Sequence, residues 1–210
     1  MKKTILSATL LACISLFSCS KPGDATVQRA MKLYQAGDYD NAIRLFNESL
    51  GEDSSYSPEL IYSFIANVYL QEDDFENALV FQEKSTSLRP EYHNLISLGM
   101  TYHMLGEDGK AEESYKKALF LEPKRAEAPA SLGALYLGQN KFTEAVDYLT
   151  QAAEKDGKIA VIHANLGIAY AALGKEGKSE EEFEAAEKLK CKNLDDFKEK
   201  AEELSKKARP

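Results

Sequence analysis

The sequence predicts an all-α chain assembled from repeated helix–turn–helix units. The pairs Leu98-Gly99, Leu132-Gly133 and Leu166-Gly167 recur every 34 residues. The segments Gly37-Asp-Tyr-Asp-Asn-Ala42-Ile43 and Lys141-Phe-Thr-Glu-Ala145-Val146 share a second pattern. A period of this length marks a supersecondary unit that cannot bury its apolar face alone, so neighbours stack. The 12 Gly and 6 Pro among 210 residues are too few for a loop-rich or all-β chain. The 44% apolar share is that of an ordinary globular protein, which excludes wholesale disorder. Lys and Arg number 26 against 34 Asp and Glu, a formal charge of -8, so the basic field of a nucleic-acid binder is missing. Three Cys are too few for a disulfide scaffold.

Residues 1–18 are expected to be an address. Lys2 and Lys3 form a positive start, and Thr4 to Phe17 is an uncharged stretch of 14 residues, short for a membrane span. Leu16-Phe17-Ser18-Cys19 resembles a bacterial lipobox, in which the Cys is acylated and becomes the new N-terminus. Leu10-Leu11-Ala12-Cys13 is a rival match, but cleavage there leaves Ile14 to Phe17 exposed on the mature chain. An ordinary cleaved signal and an uncleaved anchor are the remaining readings. With Cys19 lipidated, residues 19–22 are a short tether. Several acyl chains, at about 0.8 kcal/mol per buried CH₂, hold a protein on a bilayer without a spanning helix. The expected location is the bacterial cell envelope, on the outer membrane facing the periplasm.

Five units fill residues 23–193, at 23–56, 59–91, 92–125, 126–159 and 160–193. Their pattern resembles the tetratricopeptide repeat, which implies a right-handed α-solenoid. The family places small residues at positions 8, 20 and 27 of each unit. Here these are Ala30, Ala42 and Ser49; Ala66, Ala78 and Ser85; Gly99, Ala111 and Ala118; Gly133, Ala145 and Ala152; Gly167, Ser179 and Ala186. Large residues stand at position 11 (Leu33, Tyr69, Tyr102, Tyr136, Tyr170) and at position 24 (Phe46, Gln82, Tyr115, Leu149, Phe183). Gln82 departs from that apolar set. Large against small is the contact of closely approaching helices.

Position 15 reads Gly37, Asp73, Gly106, Asn140 and Gly174, residue types that tolerate the left-handed backbone of a helix C-terminus. Pro90 and Pro123 end their units. Position 17 is aromatic in three units but Asp108 and Glu176 in the others, so a looser turn is expected there. The first helix of the first unit is the weakest match. Residues 194–210 form a last amphipathic helix with Leu194, Phe197, Ala201, Leu204 and Ala208 on one face. Such a helix caps the final apolar face of an open array.

The resemblance implies that the first helix of each unit lines a concave groove. The corresponding residues include Met31 and Tyr34; Phe64, Asn67, Leu70 and Gln71; Ile96, Met100, His103 and Met104; Ser131 and Leu137; and Asn165 and Ile168. Neither Lys nor Arg is among the groove positions. The carboxylate clamp of heat-shock co-chaperones uses Lys, Arg and Asn, and only Asn67 and Asn165 match it. A buried carboxylate would lack a cation, which argues against that ligand. An uncharged groove with Met and aromatic residues suits an apolar peptide or helix.

Chemistry finds little support. His103 with Met100 and Met104 can be drawn as a soft metal site, but such spacings arise readily by chance on a helix, so no metal is expected. Cys191 reads as a small packing residue without a paired base. Gly106-Glu-Asp-Gly-Lys110 and Gly174-Lys-Glu-Gly-Lys178 lack phosphate-loop spacing and fall at turns. Glu180-Glu181-Glu182 reads as a solvated face. The expectation is therefore a non-enzymatic, cofactor-free, lipid-anchored adaptor binding envelope proteins or peptides. The alternative is a binding protein for a small hydrophobic ligand serving an envelope transporter. Self-association is the third reading.

Overall fold

The computed structural model describes residues 21–208, with side chains through Lys206. Cys13, Cys19 and the address segment lie outside the described residues, as does the side chain of Ala208. All described regular elements are helices, the fold class that the 34-residue period predicts. They form two compact bodies, divided after Ser57.

The first body holds α1 (Pro22–Gln35) and α2 (Tyr39–Ser49). The poor match of α1 to the repeat pattern is offset by a buried carboxylate. Asp24 accepts from the Ser55 amide at 2.6 Å and from the hydroxyls of Ser54 and Ser55, each at 2.9 Å. The Ser55 amide, helped by these hydroxyls, holds the Asp24 carboxyl below its ordinary range. Gly23 donates its amide to the Asp53 carbonyl, and a Cβ on Gly23 would lie 2.9 Å from that of Ser54. The chain after α2 is thereby fastened to the start of α1.

The second body holds α3 (Pro58–Gln71), α4 (Phe75–Leu88), α5 (Tyr92–Met104), α6 (Asp108–Leu121), α7 (Glu127–Gly138), α8 (Phe142–Lys155), α9 (Ala160–Ala172), α10 (Glu176–Lys188) and α11 (Leu194–Ala208). Helices pair as α3 with α4, α5 with α6, α7 with α8 and α9 with α10. The pairs join through α4 on α5, α6 on α7 and α8 on α9. Small residues set the approach within a pair. A Cβ on Gly99 would lie 2.5 Å from the Tyr115 ring, and one on Gly167 2.7 Å from that of Phe183. One on Gly133 would overlap Leu149. Positions 8 and 24 of a unit are thus direct partners.

The five turns are alike. Gly37, Asp73, Gly106, Asn140 and Gly174 have φ of 78, 55, 77, 57 and 69°. In each turn the amide of the residue that follows the left-handed one bonds back to position 11, as in Glu107 N to Tyr102 O at 2.8 Å and Lys175 N to Tyr170 O at 2.9 Å. The looser turns expected at Asp108 and Glu176 are not found. This closure uses only backbone groups and the left-handed residue, so the side chain at position 17 does not govern it. Asp108 gains its own partners, His103 Nδ1 at 2.7 Å and Gln139 Nε2 at 3.3 Å.

The terminal helix departs from the stacking register. α11 packs mainly along α9 and only lightly on α10. Its half-buried Leu194, Phe197 and Leu204, with buried Ala201, join the apolar core shared with Ile162, Leu166 and Ile168.

Candidate functional site

The first helices of the second body, α3, α5, α7 and α9, carry the expected groove positions. Of these residues, Met100 and Met104 are 47% and 56% exposed, and Asn67, Gln71 and His103 are exposed as well. Phe64, Leu70, Ile96, Ser131 and Asn165 are half-buried. In the first body, Met31 and Tyr34 are half-buried, with the Tyr34 ring 5.9 Å from that of Tyr39.

Two expected groove residues are not open surface. Ile168 is 2% exposed, because α11 lies along α9. The equivalent Asn67, Met100 and Ala134, on helices that α11 does not cover, are exposed. Ala164, Ala171 and Ala172 are buried with Ile168, so the last unit offers little free inner surface. Leu137 is also buried, in the apolar cluster that α7 shares with Ile162, Leu166 and Ile168 of α9.

The expectation of an uncharged surface needs a second correction. Arg125, in the link between α6 and α7, donates to His93 Nε2 at 3.0 Å and to Glu127 Oε1 at 2.6 Å. Its guanidinium lies 4.4 Å from the centre of the Tyr92 ring. Tyr92 in turn donates to Glu127 and accepts from the Ala128 amide at 2.9 Å. A cation and an acid thus join the α5–α7 junction beside His93. The groove pattern could not reveal Arg125, because it lies in a link that the pattern leaves unassigned.

Arg125, with further hydrogen bonds including that from Tyr92, lowers the Glu127 carboxyl from an ordinary 4.5 to about 2. A group with a depressed folded-state pKa stabilises the fold above its unfolded pKa. That contribution is lost as pH falls through the folded value. Wild-type stability is therefore expected to drop more steeply between about pH 4.5 and about pH 2 than that of Glu127→Gln. Urea midpoints measured across this window check it, and parallel profiles would refute the pairing.

A polar cavity of about 130 Å³ lies among α3, α4 and α5, lined by Ser63, Ala66, Asn67, Gln82, Ser85, His93, Asn94 and Ser97. Gln82 occupies the position that is apolar in the other four units. Its Nε2 donates to Ser97 Oγ at 2.8 Å. Its Oε1 is buried without a hydrogen-bond partner among the described residues. An unmade bond of this kind costs about 1–3 kcal/mol. Ser85 Oγ donates to the Glu59 carbonyl at 2.8 Å and accepts from Asn94 Nδ2 at 3.1 Å. The irregular Gln82 was visible in the sequence, but the cavity around it required the packing of three helices.

The other candidate groups are engaged structurally. His103 is bonded to Asp108, whose carboxyl it holds below the ordinary range. His163 joins Glu182 at 2.7 Å and the Gly157 carbonyl at 3.1 Å, tying α9 to α10 and to the preceding loop. Cys191 is half-buried. Among the described residues, no three His, Cys, Asp or Glu cluster as a metal site, and no helix is long and apolar enough to cross a membrane.

Comparison with known proteins agrees with this architecture. Human protein O-mannosyl-transferase TMTC1 is 34% identical over 86 residues, covering 41% of this chain and 10% of that protein. The chain spans between 10% and 39% of the length of the curated relatives it matches. Among solved structures, MamA from Desulfovibrio magneticus RS-1 aligns with a TM-score of 0.71 at 17% identity, covering 81% of this chain and 96% of its own. YrrB, described as a TPR protein with an unusual peptide-binding site, aligns at 0.67 and 21% identity, covering 86% and 90%. At these identities the likeness concerns the fold alone. Tetratricopeptide repeat models match residues 61–92, 92–125 and 130–190, and the chain belongs to the tetratricopeptide repeat family.

Proposed function

We propose that this protein is a lipid-anchored adaptor of a bacterial cell envelope, holding a protein or peptide partner on the inner face of its second body. The exposed Met100 and Met104 on α5, together with the exposed polar Asn67 and Gln71 on α3, carry this reading. Flexible thioethers adapt to varied apolar side chains, and the neighbouring amides bond to peptide groups. Binding of protein or peptide partners is also the general use of the family, and YrrB offers a peptide-binding precedent on the same fold. The inner-face cavity among α3, α4 and α5 is lined mainly by polar groups, which a small hydrophobic ligand would leave unpaired. That favours a peptide over the hydrophobic-ligand reading. The anchor rests on the lipobox-like run ending at Cys19.

The test is crosslinking in intact envelopes, with wild type compared with Met100→Glu/Met104→Glu. Wild type is expected to return a reproducible protein partner, and the double variant to lose it at least about tenfold while keeping its helicity. Equal capture by both chains, or no reproducible partner, would refute the inner-face reading. Cys19→Ala should move the protein from the membrane to the soluble fraction, and unchanged fractionation would remove the anchor.

A further inference from the structure

We propose that the cavity among α3, α4 and α5 is a side-chain pocket that reads a carboxamide, the Asn or Gln of a bound peptide. The inference rests on the peptide-binding reading above and names what the inner face recognises.

The starting point is Gln82. The corresponding residue in other units is Tyr115, Leu149 or Phe183, packed against the glycine of its own helix pair. Here the slot holds an amide, 96% buried, in a cavity lined by seven polar residues out of eight. Gln82 Nε2 is used by Ser97, while Oε1 has no partner among the described residues. Exchanging the two ends of the amide does not help. Oε1 could then accept from the Ser97 hydroxyl, but the two Nε2 protons would need acceptors. Either way, one edge of the Gln82 amide is left unmatched.

The surrounding groups indicate what can match it. Ser85 Oγ is already saturated by the Glu59 carbonyl, Ser63 and Asn94. Arg125 can only donate, so His93 Nε2 accepts from it, and the ring proton sits on Nδ1. The cavity lining therefore mixes donors and acceptors and carries no charged side chain. A carboxylate offers only acceptors and an ammonium only donors, and no lining side chain supplies a counter-ion; Arg125, behind His93, is already paired with Glu127. An apolar side chain leaves the Gln82 edge unpaired. A carboxamide carries two donors and an acceptor in one plane, and it pairs with Gln82 whichever way that amide is turned. A volume of about 130 Å³ accommodates such a group. The cavity is lined by Asn67, one of the expected groove residues, and by Ser97, the neighbour of another, Ile96, so a peptide on that face can reach it.

The experiment pans a phage-displayed random peptide library on the full chain and on two variants. Gln82→Leu places there the residue that Leu149 supplies in another unit, and Asn94→Ala trims the cavity wall. Wild type is expected to enrich Gln or Asn at one fixed place, next to apolar residues. A selected peptide should bind roughly tenfold more tightly than its Gln→Glu and Gln→Met forms. Gln82→Leu should erase that difference while still selecting apolar residues, and Asn94→Ala should reduce it. Thermal melts confirm that both variants fold. Peptides selected without a carboxamide preference would overturn the pocket and leave the groove reading intact. So would a preference that survives both variants, or a crystal structure with only an ordered water on Gln82. If no peptide is enriched, both readings fall.

Discussion

Replacing Gly133 by valine is expected to lower the melting temperature by roughly 5–10 °C, whereas Gly138→Ala in the same helix should leave it unchanged or raise it slightly. Both changes remove a glycine from α7, and both gain helix propensity of up to about 1 kcal/mol. Space decides between them. A Cβ at Gly133 would overlap Leu149 Cγ and approach the Leu149 backbone nitrogen at 3.2 Å. A γ-carbon and a backbone atom cannot swing aside as a flexible chain end can, so α7 and α8 must separate. Overpacking of this kind costs about 1–3 kcal/mol. Valine adds two further methyl groups to the same clash and outweighs the propensity gain. At Gly138 a Cβ meets nothing within 4 Å, so only the propensity remains. Thermal melts followed by circular dichroism give both numbers. A Gly133→Val chain as stable as wild type would refute the close approach of the two helices.

Deleting residues 194–210 should be still more damaging. It strips α11 from α9 and uncovers Ile168 and Ala171, both buried in the intact chain in the apolar cluster that α11 joins. Burial of one isoleucine side chain contributes about 1.5–3 kcal/mol. The loss of contacts to Leu194, Phe197 and Leu204 adds to that. The truncated chain is expected to melt more than about 10 °C lower and to self-associate through the bared face. A second substitution separates the two effects. Ile168→Asn in the truncated chain should restore solubility, because asparagine at the equivalent Asn67 is exposed. In the full chain the same change should be destabilising, since it buries an unpaired amide under α11. Light scattering and melting curves on the four chains check this. A truncated chain that stays monomeric with an unchanged melt would show that α11 covers nothing of consequence.

The repeat architecture was legible because its signals are local. Gly37, Asp73, Gly106, Asn140 and Gly174 announce left-handed turns from their residue types alone, and all five adopt them. Gly99, Gly133 and Gly167 announce close approach by lacking a side chain, and each faces the large residue 16 positions later in its own helix pair. Asp108 and Glu176 misled because the turn is closed by backbone groups.

The candidate surface was legible only in part. Met100, Met104 and Asn67 were placed on exposed helix faces by the repeat pattern. Ile168 obeys the same pattern yet is buried, because a neighbour outside the repeats covers it. Arg125 escaped notice because a link residue has no assigned face, and its guanidinium found His93, Tyr92 and Glu127 only in three dimensions. Gln82 stood out as an irregularity, but its meaning depended on Ser63, Ser85, Asn94 and Ser97 arriving from two other helices and its own.

By itself, then, the sequence determined the helical units, their turns and the pairing of large with small residues. These depend on backbone preference and on contacts within one unit, which repeat every 34 residues. Only the tertiary structure decided which inner surface stays open, where α11 comes to rest and which polar groups share a cavity. The physical reason is that an amphipathic helix specifies that one of its faces must be covered, but not by which partner. That choice is settled by long-range packing, which in this chain buries Ile168 and leaves Met100 and Met104 exposed.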